Sequence, residues 1–326
     1  MTKKMLASRS LAVPGLLLGV FLAFGFGIAV NARDDATSKS GSNSKSNPFS
    51  KLLSFAKEGE KKTEPFPGVE HIERTTNTPR QLTQHLVLFD TKKSNLRILS
   101  TRPDRDGNHP PGTTKMETTR AFAERTKSNI AINANFFDNG AEARKKGLTQ
   151  LLGLAMSEGH FVSPWNAKNA LYSDAMHFSP KGEIRFLERP KDIGDGFATI
   201  PATDLYTAVT GHARLLRGGM LGEKIQRGDP NKDLHPRTAI GQHGDGRLVI
   251  FVVDGRRPGH SLGMATHEVA EFLKERGVVD AIQLDGGGST TLVFGDGKGK
   301  ARVINKPSDL TERKVGNNLG FVLPGE

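Results

Sequence analysis

Two aspartates each followed by glycine, one arginine and a run of three glycines carry most of the chemistry this sequence offers. Asp285-Gly286-Gly287-Gly288-Ser289 follows the apolar run 278–284 directly. Three successive glycines remove every side chain, so the backbone is free to take positive φ and approach a ligand closely. Consecutive N–H groups in such a loop form a concave nest for an anion. A plain tight turn would need neither the acid that opens this loop nor the hydroxyls of Ser289, Thr290 and Thr291 that close it. The second aspartate opens Asp254-Gly255-Arg256-Arg257-Pro258-Gly259-His260-Ser261, again directly after an apolar run. Loops beyond the carboxyl ends of parallel strands line the crevice where ligands bind, so both carboxylates are expected in one cleft. Each alone would read as a turn or capping aspartate. Arg237, in His235-Pro236-Arg237-Thr238, is a candidate phosphate ligand because its planar fork makes bidentate, charge-assisted bonds. An ordinary surface arginine would look the same in sequence. Asn305 and Arg313 are candidates of the same single-residue kind.

These side chains need elements to hold them. Residues 247–255 predict a continuous apolar strand, and 264–276 a helix with Thr266 as N-cap. Val269, Phe272 and Leu273 share its buried face, and Gly277 is its stop. Residues 278–294 then read as strand, glycine loop, strand. Strand–helix–strand predicts a βαβ crossover. Upstream, 84–90 and 95–101 predict a hairpin, and 118–127 a helix capped by Thr118 or Thr119. The run 129–138 predicts a buried strand that breaks at Asn135. A second hairpin is predicted over 175–187, around Pro180-Lys181-Gly182. Together these give an α+β fold: mixed β-sheets, few flanking helices, and one βαβ unit near the C-terminus of a single domain.

The first 64 residues read differently. Lys3, Lys4 and Arg9 precede an uncharged run from Leu11 to Val30, which ends in small residues before Arg33. Residues 1–32 are thus expected to be a secretory signal peptide or, left uncleaved, a membrane anchor. Either way the rest of the chain is exported, and membrane contact is expected only through that segment. Residues 33–64 bury too little apolar surface to offset their ordering entropy and are expected to be a polar linker. The domain is expected over 65–326. The formal charge is +11, and residues 1–64 hold ten Lys/Arg against five Asp/Glu, so six units belong to the domain. That excess suits an anionic substrate or envelope surface. Nucleic acid is not an expected partner, since export argues against it and Trp165, Tyr172 and Tyr206 are the only Trp and Tyr available for stacking. With no cysteine, disulfides, a thiol nucleophile and thiolate metal sites are excluded.

Five stretches carry a resemblance: 132–138 (INANFFD), 237–241 (RTAIG), 253–273 (VDGRRPGHSLGMATHEVAEFL), 284–294 (LDGGGSTTLVF) and 304–323 with its terminal N-x-L-G-F-V. Together they resemble the phosphodiester glycosidase domain, the uncovering-enzyme family, over roughly residues 70–323. The sequence departs from the family pattern at Ala134-Asn135, where many members carry Gly-Gly, and at His260, where many carry an aromatic. The resemblance implies a hydrolase that cleaves the sugar C1–O bond of a sugar-1-phosphodiester. The leaving group is then a weakly basic phosphate monoester with a second pKa of about 6, which fixed positive dipoles can stabilise. On this reading Arg237, the amides of Gly286, Gly287 and Gly288, and Ser289 take the phosphate. One of Asp254 and Asp285 faces the anomeric carbon, as nucleophile or as base for water. Asn133, Phe136, Thr238 and Gly259 are expected to contact substrate, as are His260, Ser261, Asn305 and Arg313. Two carboxylates about 5 Å apart would imply retention, and about 6.5–9.5 Å inversion.

No cofactor is required on this reading, and no HExxH-like spacing marks a zinc site. A magnesium or calcium ion is the alternative, on the hard oxygens of Asp254, Asp285 and Asn305. A second class of function, a non-catalytic binding module for anionic envelope polysaccharide, would use the glycine nest and arginines without both aspartates. A serine hydrolase at Ser289 lacks the G-x-S-x-G pattern. The physiological sugar-phosphodiester is not legible in the sequence.

Overall fold

Six consecutive buried residues, Leu248–Val253, show how the centre of the molecule is built. Alternate side chains of a strand point to opposite faces. Val249, Phe251 and Val253 pack with Val269, Ala270 and Leu273 of the helix Thr266–Glu275. Leu248, Ile250 and Val252 pack the other way, into a core shared with Ile130, Ile132, Met176, Phe178 and Phe321. A strand covered on both faces reads as an unbroken apolar run.

The computed structural model describes residues 59–93, 96–104, 109–165, 171–191, 204–228 and 232–324. The expected leader (1–32) and most of the expected linker lie outside these residues. The first strand, Glu60–Phe66, begins inside the segment read as linker and forms one edge of the largest sheet. From that edge the order is Val69–Thr76, Leu82–Phe89, Leu248–Val253, Arg237–His243, Val278–Gln283, Ala213–Arg217 and Met220–Leu221. A five-stranded sheet holds Asp174–Phe178 between Thr207–Gly211 and Ile184–Glu188. Another holds Ile130–Asn133 between Leu292–Gly295 and Asn318–Val322. Phe321 joins all three sheets: its ring meets Phe89 of the first at 5.1 Å and Phe178 of the second at 6.0 Å.

The helix Thr119–Thr126 forms as predicted, with Thr118 Oγ1 accepting the Ala121 N–H at 3.1 Å. Asp174–Phe178 pairs with Ile184–Glu188 in the predicted second hairpin. The first predicted hairpin does not form. Leu82–Phe89 pairs with Val69–Thr76 and Leu248–Val253, whereas Arg97–Ser100 pairs with Asn318–Val322 in another sheet. All eight residues of Leu82–Phe89 are buried, so that strand needs a partner on each edge and cover on each face. The helix Thr266–Glu275 is capped by Ala265, not Thr266, and the Glu268 carboxylate takes the Ala265 N–H at 2.8 Å. Thr266 is 1% exposed, inside the first turn rather than before it.

The βαβ unit is also corrected. Every ladder between the named strands is antiparallel, so the sheets are not mixed in their pairing. Leu248–Val253 and Val278–Gln283 run the same way but are not neighbours. Arg237–His243 lies between them, and its Ala239 opposes Phe251 on one side and Gln283 on the other. Both strands do end on the same side of the sheet, but two inter-strand spacings separate them, about 10 Å.

Candidate active site

The glycine loop is closed onto itself rather than open as a nest. Gly286 N–H donates to its neighbour Asp285 Oδ1 at 2.9 Å, and Gly287 N–H to the Pro236 carbonyl at 2.9 Å. Gly287–Ser289 forms a single 3-10 turn. Two of the three amides expected on a phosphate are therefore committed within the protein. The glycines serve a different end. A Cβ on Gly287, whose φ is +61°, would stand 3.1 Å from the Arg256 guanidinium, and one on Gly288 would stand 2.2 Å from Arg313 Nη2. Bare backbone leaves room for the Arg256 guanidinium over Gly287 and for the ion pair of Arg313 with Asp309 over Gly288.

Those cations line a cavity of about 310 Å3, within the range of small-ligand sites. Asp285 lines it together with Arg237, Arg256 and Arg313. The buried Arg237 donates from Nε to the Met264 carbonyl at 2.9 Å and from Nη2 to the Asp233 carbonyl at 2.8 Å, which fixes its plane. Arg313 Nε donates to Asp309 at 2.8 Å. Arg256 sits at φ +57°, a left-handed conformation that a side-chain-bearing residue adopts at a cost. Its Nε donates to His235 Nδ1 at 3.3 Å, which leaves the His235 proton on Nε2. Partial burial and the charges of Arg256 and Arg237 hold His235 below its ordinary range, so it is neutral at pH 7.

Enclosure pushes the Asp285 carboxyl up to about 6, against the Ser289 hydroxyl, the Gly286 amide and the Arg313 charge, which all favour the anion. The carboxylate is enclosed on most sides but reaches the cavity. Ser289 Oγ lies beside it, fully buried and outside hydrogen-bond geometry to any group among the described residues. One wall is aromatic: the Phe136 ring stands 5.3 Å from Tyr172 and 5.7 Å from His212. Burial and the neighbouring Asp285 charge raise the Tyr172 phenol, which stays protonated. Gln283, 1% exposed, also lines the cavity, and its Oε1 has no hydrogen-bond partner among the described residues.

Asp254 is elsewhere. It lines a second cavity with Gly259 and His260, and its carboxylate is already engaged. Oδ1 accepts from Asn305 Nδ2 and Lys306 N, both at 3.0 Å, and Oδ2 from His260 Nε2 at 2.7 Å. The expected pair of carboxylates in one cleft is thus not formed, because the strand Arg237–His243 separates the loops. Nor do Asp254, Asp285 and Asn305 make an oxygen cage for magnesium or calcium. Asn305 spends its Oδ1 on the Leu292 N–H at 2.8 Å and its Nδ2 on Asp254 and the Thr290 carbonyl. Asn133, Thr238 and Ser261 are structural staples: Asn133 donates to the Asp285 carbonyl and accepts from Thr238 Oγ1, and Ser261 Oγ donates to the Asp254 carbonyl. Asn135, where the sequence departs from the family pattern, is equally stitched. Its Oδ1 accepts from Thr210 N at 3.1 Å and Asn317 Nδ2 at 2.9 Å.

Of the residues singled out in sequence, Phe136, Arg237, Asp285, Gly286, Gly287, Gly288 and Arg313 meet at the first cavity. Arg256 and His235 join them, each two residues from a candidate, Asp254 and Arg237, whose own type is the stronger signal in sequence. Gln283 stands two residues before Asp285. Tyr172 and His212 had no local signal at all.

One enclosed carboxylate, three guanidinium groups and an aromatic wall thus line one cavity of a protein built mostly of sheet. The chain belongs to the phosphodiester glycosidase family, which residues 126–322 match. The SPbeta prophage-derived uncharacterized protein YomE of Bacillus subtilis is 29% identical over 220 residues, 66% of this chain and 31% of that protein. The N-acetylglucosamine-1-phosphodiester alpha-N-acetylglucosaminidases of Homo sapiens and Mus musculus are 51% and 47% identical over 58 residues, 18% of this chain and 11% of each enzyme. The chain thus spans about a third of the length of YomE and about a ninth of the mammalian enzymes. Among solved structures, the pro-peptide-inhibited catalytic domain of the zebrafish enzyme shares the fold with TM-score 0.58 at 22% identity, over 83% of this chain and 91% of that one. A hypothetical protein from Synechocystis shares it with TM-score 0.54 at 14% identity, over 81% of this chain and 64% of the other.

Proposed function

We propose that this protein hydrolyses the C1–O bond of a sugar-1-phosphodiester in an exported, envelope-associated glycan or glycolipid. The observation that carries the reading is the Asp285 carboxyl, held near pKa 6 in a cavity that three arginines line. A general base works best with a pKa close to the working pH. Water attacks C1, Asp285 takes its proton, the C1–O bond breaks, and the electron pair leaves on the phosphate monoester oxygen. Arg237, Arg256 and Arg313 bind the phosphate and stabilise the charge that gathers there, so no proton donor is needed for the leaving group. The aromatic wall receives the apolar face of the sugar, and Gln283 Oε1 accepts from one of its hydroxyl or amide groups.

With Asp285 acting as base for water, displacement is direct and C1 inverts. The decisive assay offers α-glycosyl phosphodiesters to wild type and Asp285→Asn and quantifies free sugar and phosphate monoester together. Stoichiometric release by wild type and none by the variant supports the reading. Undiminished turnover by the variant would refute it, and binding without turnover by wild type would select the polysaccharide-binding alternative.

A further inference from the structure

A third cavity, of about 470 Å3, takes no part in the chemistry described so far. The turn Gly218-Gly219 folds Met220–Leu221 back onto Ala213–Arg217, and both glycines take positive φ there. Gly222 then lies so close to the Arg214 carbonyl that a Cβ would stand 1.8 Å from it, which lets the short helix Glu223–Gln226 pack against the strand. That hairpin and helix form one wall. The other is the paired end of Asp174–Phe178 and Ile184–Glu188, with Arg189 and Lys191 beyond it.

The lining holds five cations against three carboxylates, a net charge of +2. The carboxylates are already answered. Glu188 pairs with Arg217, and Asp174 accepts from Ser173 Oγ at 2.9 Å and lies 3.8 Å from Arg217. Glu223 pairs with Arg227, which does not line the cavity. Arg214 is held by Asp280 and lies over the Phe186 ring, 4.1 Å from its centroid. Lys191 and Lys224 differ. Both are exposed, they stand on opposite walls, and neither side chain has a hydrogen bond or ion pair among the described residues. Two mobile ammonium groups facing one cleft suit an anion of no fixed geometry.

The third cavity adjoins the first. Tyr172 lines the first and its neighbour Ser173 the third. His212 and Arg214 divide in the same way, two residues apart, a span of at most about 7 Å. The common wall is the aromatic one, which takes the sugar in the proposed hydrolysis. A group reaching the third cavity therefore extends from the sugar and not from the phosphate.

We propose that the third cavity binds an anionic group on the sugar side of the scissile bond, a phosphate or carboxylate of the next residue, so that the chain is cut inside an anionic polymer. This rests on the hydrolase reading for its kinetic test but not for its binding test. Three methyl phosphodiesters of one sugar decide it, substituted on that sugar with a neutral sugar, a sugar phosphate or a uronic acid. Wild type is expected to favour at least one charged form over the neutral one by about tenfold in kcat/KM, expressed in KM. The form that gains names the anion. The double variant Lys191→Gln/Lys224→Gln is expected to erase the preference and leave the neutral substrate unchanged. Equal efficiency on all three in wild type, or a double variant that keeps the preference, would overturn the site. If none is cleaved, the hydrolase reading fails separately. Calorimetric titration with tripolyphosphate then decides: two binding events in wild type, one of them lost in the double variant, support the site, and identical titrations of the two proteins overturn it.

Discussion

At the scale of the residue, the proposed hydrolysis makes Asp285 the group that sets both activity and a cost in stability. Its carboxyl must be ionised to take a proton from water, and its pKa is about 6. Activity is expected to fall roughly tenfold per pH unit below 6 and to level off above it, in a kcat/KM profile. Asp285→Asn is expected to lose about 100-fold to 10,000-fold in kcat, the range for a missing general base. The same substitution should stabilise the fold. Between the ordinary carboxyl value of 3.8 and about 6, the native state holds a proton that the unfolded chain has released. Stability therefore declines as pH rises through that window. Asp285→Asn should accordingly melt higher than wild type at pH 7, with the difference vanishing below pH 3.8. A variant that melts lower at pH 7 would show that Asp285 supports the fold.

At the scale of the element, the loops are shaped by what lies over them. Gly288→Ala places a methyl group 2.2 Å from both Arg313 Nη2 and Asp309 Oδ2. Those are flexible side-chain ends, so we expect the loop to stay and the arginine to move. The expected result is at least a tenfold rise in KM with only a small change in melting temperature. Gly295→Ala is the contrasting case, because its methyl group would meet the Ser128 carbonyl at 2.3 Å, a backbone atom that cannot step aside. There the loss should appear in stability instead. Arg256 at φ +57° gives the converse prediction. Arg256→Gly relieves left-handed strain of about 1 kcal/mol while removing a phosphate ligand, so melting temperature and KM should rise together.

At the scale of the whole molecule, three sheets depend on one core. Phe321 contacts rings from the other two sheets, so Phe321→Ala is expected to cost about 3–5 kcal/mol, as for buried aromatics generally. The loss should appear in one cooperative urea transition rather than two. Two buried imidazoles add a pH dependence of opposite sign to that of Asp285. Burial lowers His85 and His177 from 6.5 to about 4. The unfolded chain binds protons there that the native state refuses, so stability should fall as pH drops from about 6.5 toward 4. His177 shows why: its Nε2 accepts the Tyr206 N–H at 3.0 Å, and a protonated ring could not.

Much of the local structure was legible because its causes are local. The Thr118 cap, the turn at 180–182 and the buried strand 248–253 each follow from neighbouring residue types, and the strand read as breaking at Asn135 ends two residues earlier, at Asn133. Asp285, the glycine loop, Arg237 and Arg313, which line one cavity, also stand out in sequence by composition, without reference to any partner. Pairing was not legible in the same way. Leu82–Phe89 and Arg97–Ser100 are adjacent in sequence yet serve different sheets, because burial on both faces demands partners that no short window contains. Insertion of Arg237–His243 between the two aspartate-bearing strands had the largest consequence. It gave Asp254 and Asp285 separate cavities, one carboxylate spent as a fastening and the other facing the arginine-lined cavity. Sequence determines which side chains exist and how nearby backbone bends. Which of them share a cavity is decided by strand order, and strand order is settled only when all the apolar faces are covered at once.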